Sequence, residues 1–310
     1  MIYTLTLNPA VDRELTVDRI EFDTVLRAAE SRVDSGGKGF NVSRLLIKLG
    51  AENTAVGFLG GKAGETLQDA LHSMGIITNF VWVKGETRTN ISIVTASGGH
   101  YIKVNEKGPF VDEGCQQELI DRIDTLARSG DWWVLAGSLP PGCEDDFYAR
   151  IIQVLNRHGA LTLLDTTGDP LRLGCAEKPY LVKPNAEEAG ALTGLPVTTT
   201  GEISVVASRI RELGAQNVVI SMGKDGALLQ TNEGTWLVCG LEIREKNPIG
   251  AGDSMVGGMV WALSQGMALK ESLGWGVASG AATASLSGTE VGSRKLIEEL
   301  LAKVSYQKLI

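Results

Sequence analysis

No stretch of this 310-residue chain approaches the ~20 consecutive apolar residues that a membrane-spanning helix needs. The opening MIYTLTLNPA lacks the charged segment and apolar run of a secretory leader, so a cytoplasmic location is expected. Cysteine is scarce: Cys115, Cys143, Cys175 and Cys239 are scattered with no C-x-x-C pair, signalling neither a disulfide framework nor a zinc site. The three histidines, His72, His100 and His158, sit apart and near no serine motif, which leaves a hydrolytic triad without support. Two nucleotide motifs are also missing. No G-x-x-x-x-G-K-[ST] occurs, disfavouring a P-loop nucleotidase, and no G-x-G-x-x-G follows the first strand, disfavouring a dinucleotide-binding dehydrogenase. Positive charge is in deficit, with 29 Lys and Arg against 37 Asp and Glu for a net charge of −8. Nucleic acids and anionic membranes need clustered cations, so neither is expected as a partner. Any basic side chain in a site stands out against that background.

What is present is an ordinary globular composition, 43% hydrophobic and 21% charged, with 38 glycines spread along the whole length. The length suits one large domain, 1–310, carrying an appended piece. Strands are expected at 2–7, 53–58, 132–135, 161–164, 180–182 and 218–221, and helices at 62–74, 118–127, 145–156, from Asn185 onward and at 203–213. Strands alternating with helices predict an α/β fold whose mostly parallel central sheet is covered on both faces. A late antiparallel hairpin over 227–230 and 235–238 precedes three C-terminal helices. Asn8-Pro9 ends the first strand and leaves Asp12 just beyond it, where ligands sit in such sheets. Segments 11–34 and 87–105 alternate in short runs, with Gly98-Gly99 as a hairpin turn, and are expected to form a small β-sheet outside the main domain. Such a sheet needs a cover on one face, which makes it a lid and a homodimer contact.

Two glycine-rich helix starts carry the chemistry. In IGAGDSMVGG, the small residues Gly250, Ala251 and Gly252 let backbone N–H groups converge on an anion. Met255, Val256, Met259, Val260 and Leu263 then give an apolar helix face. The helix N-terminus carries roughly half a positive charge, which favours a phosphate gaining negative charge. Asp253 would face the same point and hold a hydroxyl in line with the phosphorus. At a helix N-terminus its pKa is expected to be lowered, leaving it a weak base that acts by orientation. Asp253 as an ordinary helix cap, with the glycines merely a turn, stays open on this motif alone. The second start, SGGKGFN, places Lys38 beside Gly37 and Asn41 and opens a helix with Val42, Leu45, Leu46 and Leu49 on one face.

With both motifs in order, the chain resembles the ribokinase-like (PfkB) carbohydrate kinases over essentially its whole length. Within them it resembles the phosphosugar branch that contains 1-phosphofructokinase and tagatose-6-phosphate kinase. SGGKGFNVSRLLIKLG and NPIGAGDSMVGG match the family's two signatures, and GETRTN, GSLPPG, VKPNAEE and ISMGKDGA match segments between them. The resemblance implies a ribokinase-like α/β domain with a β-lid, and transfer of phosphate from ATP to a sugar hydroxyl. It assigns Asp253 as catalytic base and Gly250, Ala251 and Gly252 as anion hole. Lys183, Asn185 and Glu188 fall on the segment that reaches ATP phosphates and, through water, Mg²⁺. Ser221, Gly223 and Gly226 fall on the nucleotide loop, Asp12, Gly37, Lys38 and Asn41 on sugar positions, and Arg88 and Ser138 on substrate-phosphate contacts. Many members use a monovalent cation near the anion hole; here Asn247 and Ile249 replace the expected acid and hydroxyl, a departure that weighs against it.

Elementary chemistry agrees with several of these assignments. A sugar phosphate is a dianion that an acidic protein must answer locally, with Lys38 and a forked Arg88. Asp12 only accepts, which suits paired sugar hydroxyls. Glu188 suits a metal that keeps most of its waters. Arg27 reads as a solvated surface charge. The expected reaction is phosphorylation of fructose 1-phosphate at its 6-hydroxyl, with tagatose-6-phosphate kinase or 6-phosphofructokinase of the same family as the alternative. A catalytically silent sugar-phosphate sensor and a kinase of nucleosides or unphosphorylated sugars are the remaining rivals.

Overall fold

A computed structural model describes residues 1–96 and 100–309. The expected turn at Gly98-Gly99 lies outside the described residues. Edge to edge, the large sheet runs Tyr306–Lys308, Thr235–Cys239, Gly226–Gln230, Asn217–Ser221, Leu181–Val182, Leu161–Asp165, Trp132–Ala136, Ile2–Thr6, Thr54–Leu59 and Ile77–Trp82. From Ile77–Trp82 to Asn217–Ser221 every neighbouring pair is parallel. The last three strands are antiparallel.

Parallel strands need long crossovers, and here these are helices that cover both faces. Alternation along the first strand shows how the two layers divide. Tyr3 and Leu5 face a core with Trp133, Leu164, Ile220 and the helices Glu113–Leu126, Phe147–Arg157 and Thr200–Glu212. Ile2 faces the opposite core, built by Val134, Leu163 and Val219 against the helices Lys38–Lys48, Ala251–Ser264, Leu269–Ala284 and Arg294–Leu301. The two glycine-started helices therefore pack on the same side, and both begin at the carboxyl ends of the parallel strands. Chain order reverses direction around Ile2–Thr6, whose neighbours are Thr54–Leu59 and Trp132–Ala136. A crevice at such a reversal is where open α/β sheets bind ligands.

The small sheet has the order Glu30–Gly36, Ala10–Val17, Arg88–Thr95, Tyr101–Asn105. Asp12 lies beyond the first strand and inside the small sheet, as expected, paired with Asp34 on one side and Asn90 on the other. Three elements were not anticipated. They are the two edge strands, Ile77–Trp82 and the three-residue Tyr306–Lys308, and the helix Gly168–Ala176, which starts on a glycine and holds Pro170 in its first turn.

Candidate active site

Helix Ala251–Ser264 begins after Gly250, whose φ of 77° is the left-handed conformation that glycine tolerates without strain. No side chain caps this helix. Asp253 is inside its first turn and is not the cap; its carboxylate instead accepts a 2.6 Å hydrogen bond from Nδ2 of Asn41. The N–H of Ala251 turns back to the Pro248 carbonyl at 3.1 Å, so it is not free to join an anion cradle in the way the glycine pattern suggested. Those of Gly250, Gly252 and Asp253 have no backbone partner among the described residues. A side chain placed on Gly252 would lie 3.8 Å from Nζ of Lys183, so that ammonium stands at the helix N-terminus.

Lys183 follows the strand Leu181–Val182 and is 4% exposed. Its charge is balanced by Asp165, the last residue of Leu161–Asp165, at 3.4 Å. The other oxygen of Asp165 accepts from Nζ of Lys38 at 3.1 Å. Asp165, 1% exposed, thus bridges the two lysines, and with Asp253 the four groups form a compact cluster of two cations and two anions. Burial pulls the Lys38 ammonium down, but Asp165, Asp253 and Glu188 outweigh it and hold its pKa above the usual lysine value. Gly37, at φ 140°, is the residue from which the Lys38 helix departs.

The pKa of Asp253 does not follow the expectation of a lowered value. Burial disfavours its charged form and the carboxylate of Asp165 repels it, so its pKa rises from 3.8 to about 6. The Asn41 bond, Lys38 and Lys183 pull the other way without prevailing. Desolvation at an 8% exposed site outweighs the helix dipole.

A second group lies toward the small sheet. Arg88 donates to the Asn8 carbonyl through Nε at 3.2 Å and Nη2 at 2.9 Å, and to the Glu106 carbonyl through Nη1 at 3.0 Å. Half-buried and fixed by three hydrogen bonds to two carbonyls, it is not a free surface charge. The Asn8 side chain donates onward to the Lys107 carbonyl at 3.1 Å, the Leu139 carbonyl at 3.3 Å and Oγ of Ser138 at 3.5 Å, so Arg88 and Ser138 share one organiser. Asp12 accepts from Asn90 at 2.8 Å. Gly36 passes so close that any Cβ there would overlap the Asp12 carboxylate. Arg27 is exposed in the segment between strands.

A third group begins at Asn185, which caps the helix Ala186–Thr193. Its side chain accepts from the Glu188 N–H at 2.8 Å, and Glu188 Oε2 accepts from the Asn185 N–H at 2.8 Å. Glu188 is thereby held in place, unlike its neighbour Glu187. Beside it opens a groove of about 590 Å³ lined by Asn185, Val197, Ile203, Ser221, Gly223 and Leu237 among others. Ser221 and Gly223 line it as the nucleotide-loop reading expects, whereas Gly226 does not. At φ 100° Gly226 sits against the Val238 carbonyl, where its lack of a side chain serves the hairpin. Asn247 donates to the Gly288 carbonyl at 2.8 Å and accepts from the Ile249 N–H at 3.0 Å, filling with its own amide the place where the resemblance implied an acid.

Sequence reasoning passed over Asp165, Asn8, Asn90 and Arg44. Asp165 and Asn8 had a readable signal, since each is a polar residue at the carboxyl end of an apolar strand. Asn90 and Arg44 become visible only through pairing and packing.

The match to known proteins agrees with this geometry. The model of the pfkB family carbohydrate kinases matches residues 5–296. A 1-phosphofructokinase of Bacillus subtilis (strain 168) is 35% identical over 309 residues, 100% of both chains. A tagatose-6-phosphate kinase of Staphylococcus epidermidis is 35% identical over 266 residues, 85% of each. The crystal structure of phosphofructokinase-2 from Escherichia coli in complex with potassium superposes with a TM-score of 0.93 at 31% identity, covering 97% of this chain and 98% of that one. With both signatures on one side of the sheet and their polar residues converging at its crevice, the chain belongs to the pfkB family of carbohydrate kinases, phosphotransferases with an alcohol acceptor.

Proposed function

We propose that this kinase transfers the γ-phosphoryl group of ATP to the 6-hydroxyl of fructose 1-phosphate, giving fructose 1,6-bisphosphate and ADP. The observation that carries the reading is the Asp253 carboxylate, held by Asn41 beside the free N–H groups of Gly250 and Gly252 and the Lys183 ammonium. A phosphosugar acceptor is supported by the name of the full-length Bacillus subtilis relative.

In this reading Arg88, Ser138 and Lys38 bind the substrate phosphate, and Asp12, Gly37 and Asn41 hold the sugar. Asp253 accepts the proton of the 6-hydroxyl as the new O–P bond forms and the bond to the leaving ADP oxygen breaks. The transition state is loose, so orientation by Asp253 matters as well as basicity. Gly250, Gly252 and Lys183 answer the charge on the three equatorial oxygens, while Ala251 shapes the turn. Ser221 and Gly223 line the groove for the nucleotide, and Asn185 caps the helix beside its phosphates. The donor set fits Mg²⁺: Glu188 has one oxygen committed to its cap and the other without a protein partner. No group of three or more His, Cys, Asp or Glu is placed to hold a metal among the described residues. A hard cation that keeps its waters and binds chiefly to phosphates suits that sparse arrangement. When bound, Mg²⁺ neutralises charge on the β- and γ-phosphates. A second copy of the chain is proposed to cover the outer face of the small sheet, which then serves as lid and dimer contact.

Tagatose 6-phosphate is the alternative acceptor, favoured by a relative of that name at the same 35% identity. A ketohexofuranose carries a hydroxymethyl carbon at each end of its ring, so one site geometry serves both compounds. Coupled ADP release measured across fructose 1-phosphate, fructose 6-phosphate, tagatose 6-phosphate and the free sugars tests the proposal. The highest kcat/KM is expected for fructose 1-phosphate. Preference for a free sugar would overturn the substrate class, and tight sugar-phosphate binding without turnover would leave a sensor.

A further inference from the structure

Arg44 is a partly buried cation with no place in the ligand contacts assigned above. It follows Asn41 by three positions in the helix Lys38–Lys48, so both side chains share one face. Its Nη2 donates to Oδ1 of Asn41 at 2.7 Å and to the Ser35 carbonyl, and its Nη1 reaches the Thr289 carbonyl at 3.4 Å. Ser35 belongs to the last turn of chain in the small-sheet strand Glu30–Gly36. Thr289 lies between the helices Leu269–Ala284 and Arg294–Leu301 and also accepts, through its hydroxyl, from Arg32 at 3.0 Å. One guanidinium therefore ties the small sheet and the C-terminal segment to the side chain that touches Asp253.

The chemical consequence lies in the Asn41 amide, which has one accepting and one donating end. With Arg44 on the oxygen, the NH₂ must face the Asp253 carboxylate. The flipped amide would set NH₂ against a guanidinium and oxygen against a carboxylate, two repulsive contacts in a partly buried place. Without Arg44 only the Asp253 carboxylate would orient the amide, and that preference would vanish once the carboxyl is protonated and can itself donate.

We propose that Arg44 is the positioning residue of the catalytic carboxylate: through Asn41 it fixes the hydrogen bond that aims Asp253, and it makes that aim depend on the seating of the small sheet and the Thr289 segment. This rests on Asp253 being the base. The charged groups facing Arg44 are Asp34, Asp12, Asp253 and Arg32, and those facing Asp253 are Asp165, Lys38 and Lys183.

The test compares Arg44→Met, Arg44→Lys, Asn41→Ala and the Arg44→Met/Asn41→Ala pair. Readouts are kcat against pH, the KM for ATP and the thermal midpoint. Arg44→Met is expected to lower kcat by about 10- to 100-fold with the KM for ATP within about 3-fold. The acid limb of kcat should move to higher pH, because Asp253 loses both a nearby cation and a fixed donor. In the Asn41→Ala background the same substitution should cost less than about 3-fold, since its route to Asp253 is already cut. Arg44→Lys keeps the charge without the planar fork and should recover part of kcat; it also replaces Arg44→Met in the cycle should the latter not fold. Full multiplicative costs in the pair, or a lowered midpoint with kcat and its pH profile unchanged, would overturn the inference. If Asp253→Asn retains turnover, the base assignment fails instead, whatever the Arg44 variants do.

Discussion

The proposed role of Asp253 needs the ionised carboxylate, the form that its burial disfavours. A carboxyl whose pKa is about 6 in the folded chain and 3.8 in the open one binds its proton more tightly when folded. Between these values the native state carries the extra proton, so this group's contribution to stability falls as pH rises from about 4 to 6 and stays low above. Asp253→Asn removes the charge. The variant should exceed the parent by on the order of 2 kcal/mol at about pH 8, and the gap should close below about pH 4, as urea titrations at each pH would reveal. Its turnover should fall by on the order of 10²–10⁴ with ATP affinity similar; near-normal turnover would remove the base assignment. As the proposed base, Asp253 must be ionised in the parent, so kcat should drop on the acid side near pH 6. Asp165→Asn deletes a repelling charge, and the limb should then move to lower pH; a limb that stays put would mean Asp165 does not act on Asp253. Arg88 supplies a contrast. Its guanidinium is spread over backbone carbonyls, so Arg88→Lys cannot reproduce the fork. Arg88→Ala should weaken sugar-phosphate binding by about 2–5 kcal/mol and leave the KM for ATP alone. An unchanged sugar-phosphate KM would count against the phosphate role.

Among elements, the helix Ala251–Ser264 is the one on whose start the proposed chemistry rests. Gly250→Ala forces a Cβ into φ 77°, at a cost of about 1–2 kcal/mol. If the first turn re-forms in another conformation, the unpaired N–H groups of Gly250 and Gly252 lose their placement beside Asp253. Thermal midpoint and kcat should fall together, and a lowered midpoint with full turnover would separate the turn from catalysis. This element was legible in the sequence because small residues, an acid and an apolar helical face coincide within a few positions. The central sheet was equally legible, since strands such as Trp132–Ala136 are unbroken apolar runs. The helix Gly168–Ala176 was not, because Gly168 and Pro170 read as a loop; yet two parallel strands, Leu161–Asp165 and Leu181–Val182, had to be joined by a crossover. The pKa of Asp253 was misjudged for a related reason. A helix N-terminus is visible in sequence, whereas burial and the approach of Asp165 from a strand far away in the chain exist only after folding. Asn41 was found through its motif, but that its amide faces Asp253 depends on Arg44 and on chain 245 residues away at Thr289.

For the whole molecule, the small sheet poses a problem of two unlike faces. On one face Asp34, Asp12, Asn90 and Asn105 stand abreast, the face that carries the proposed sugar contact Asp12. On the other, Val33, Arg13, Ile91 and Val104 form one row and Ser31, Leu15, Ile93 and Ile102 the next. Val33 is 48% exposed and Val104 58%, leaving an apolar surface on a single-layer sheet. Such a layer is marginal unless something covers it. A two-fold pairing of identical faces does so with no further component, because a self-complementary apolar patch satisfies both copies at once. The chain should then sediment as a dimer at micromolar concentration, and Ile93→Lys, at the middle of the patch, should raise the dissociation constant by at least about 10²-fold. Since Asp12 and Arg88 lie on the strands that form this patch, the same substitution should raise the sugar-phosphate KM more than the ATP KM. Adding protein should partly reverse that rise by restoring the pair. A parent chain that sediments as a monomer at high concentration, or an Ile93→Lys monomer with unchanged sugar-phosphate KM, would detach the sheet's outer face from the site it carries.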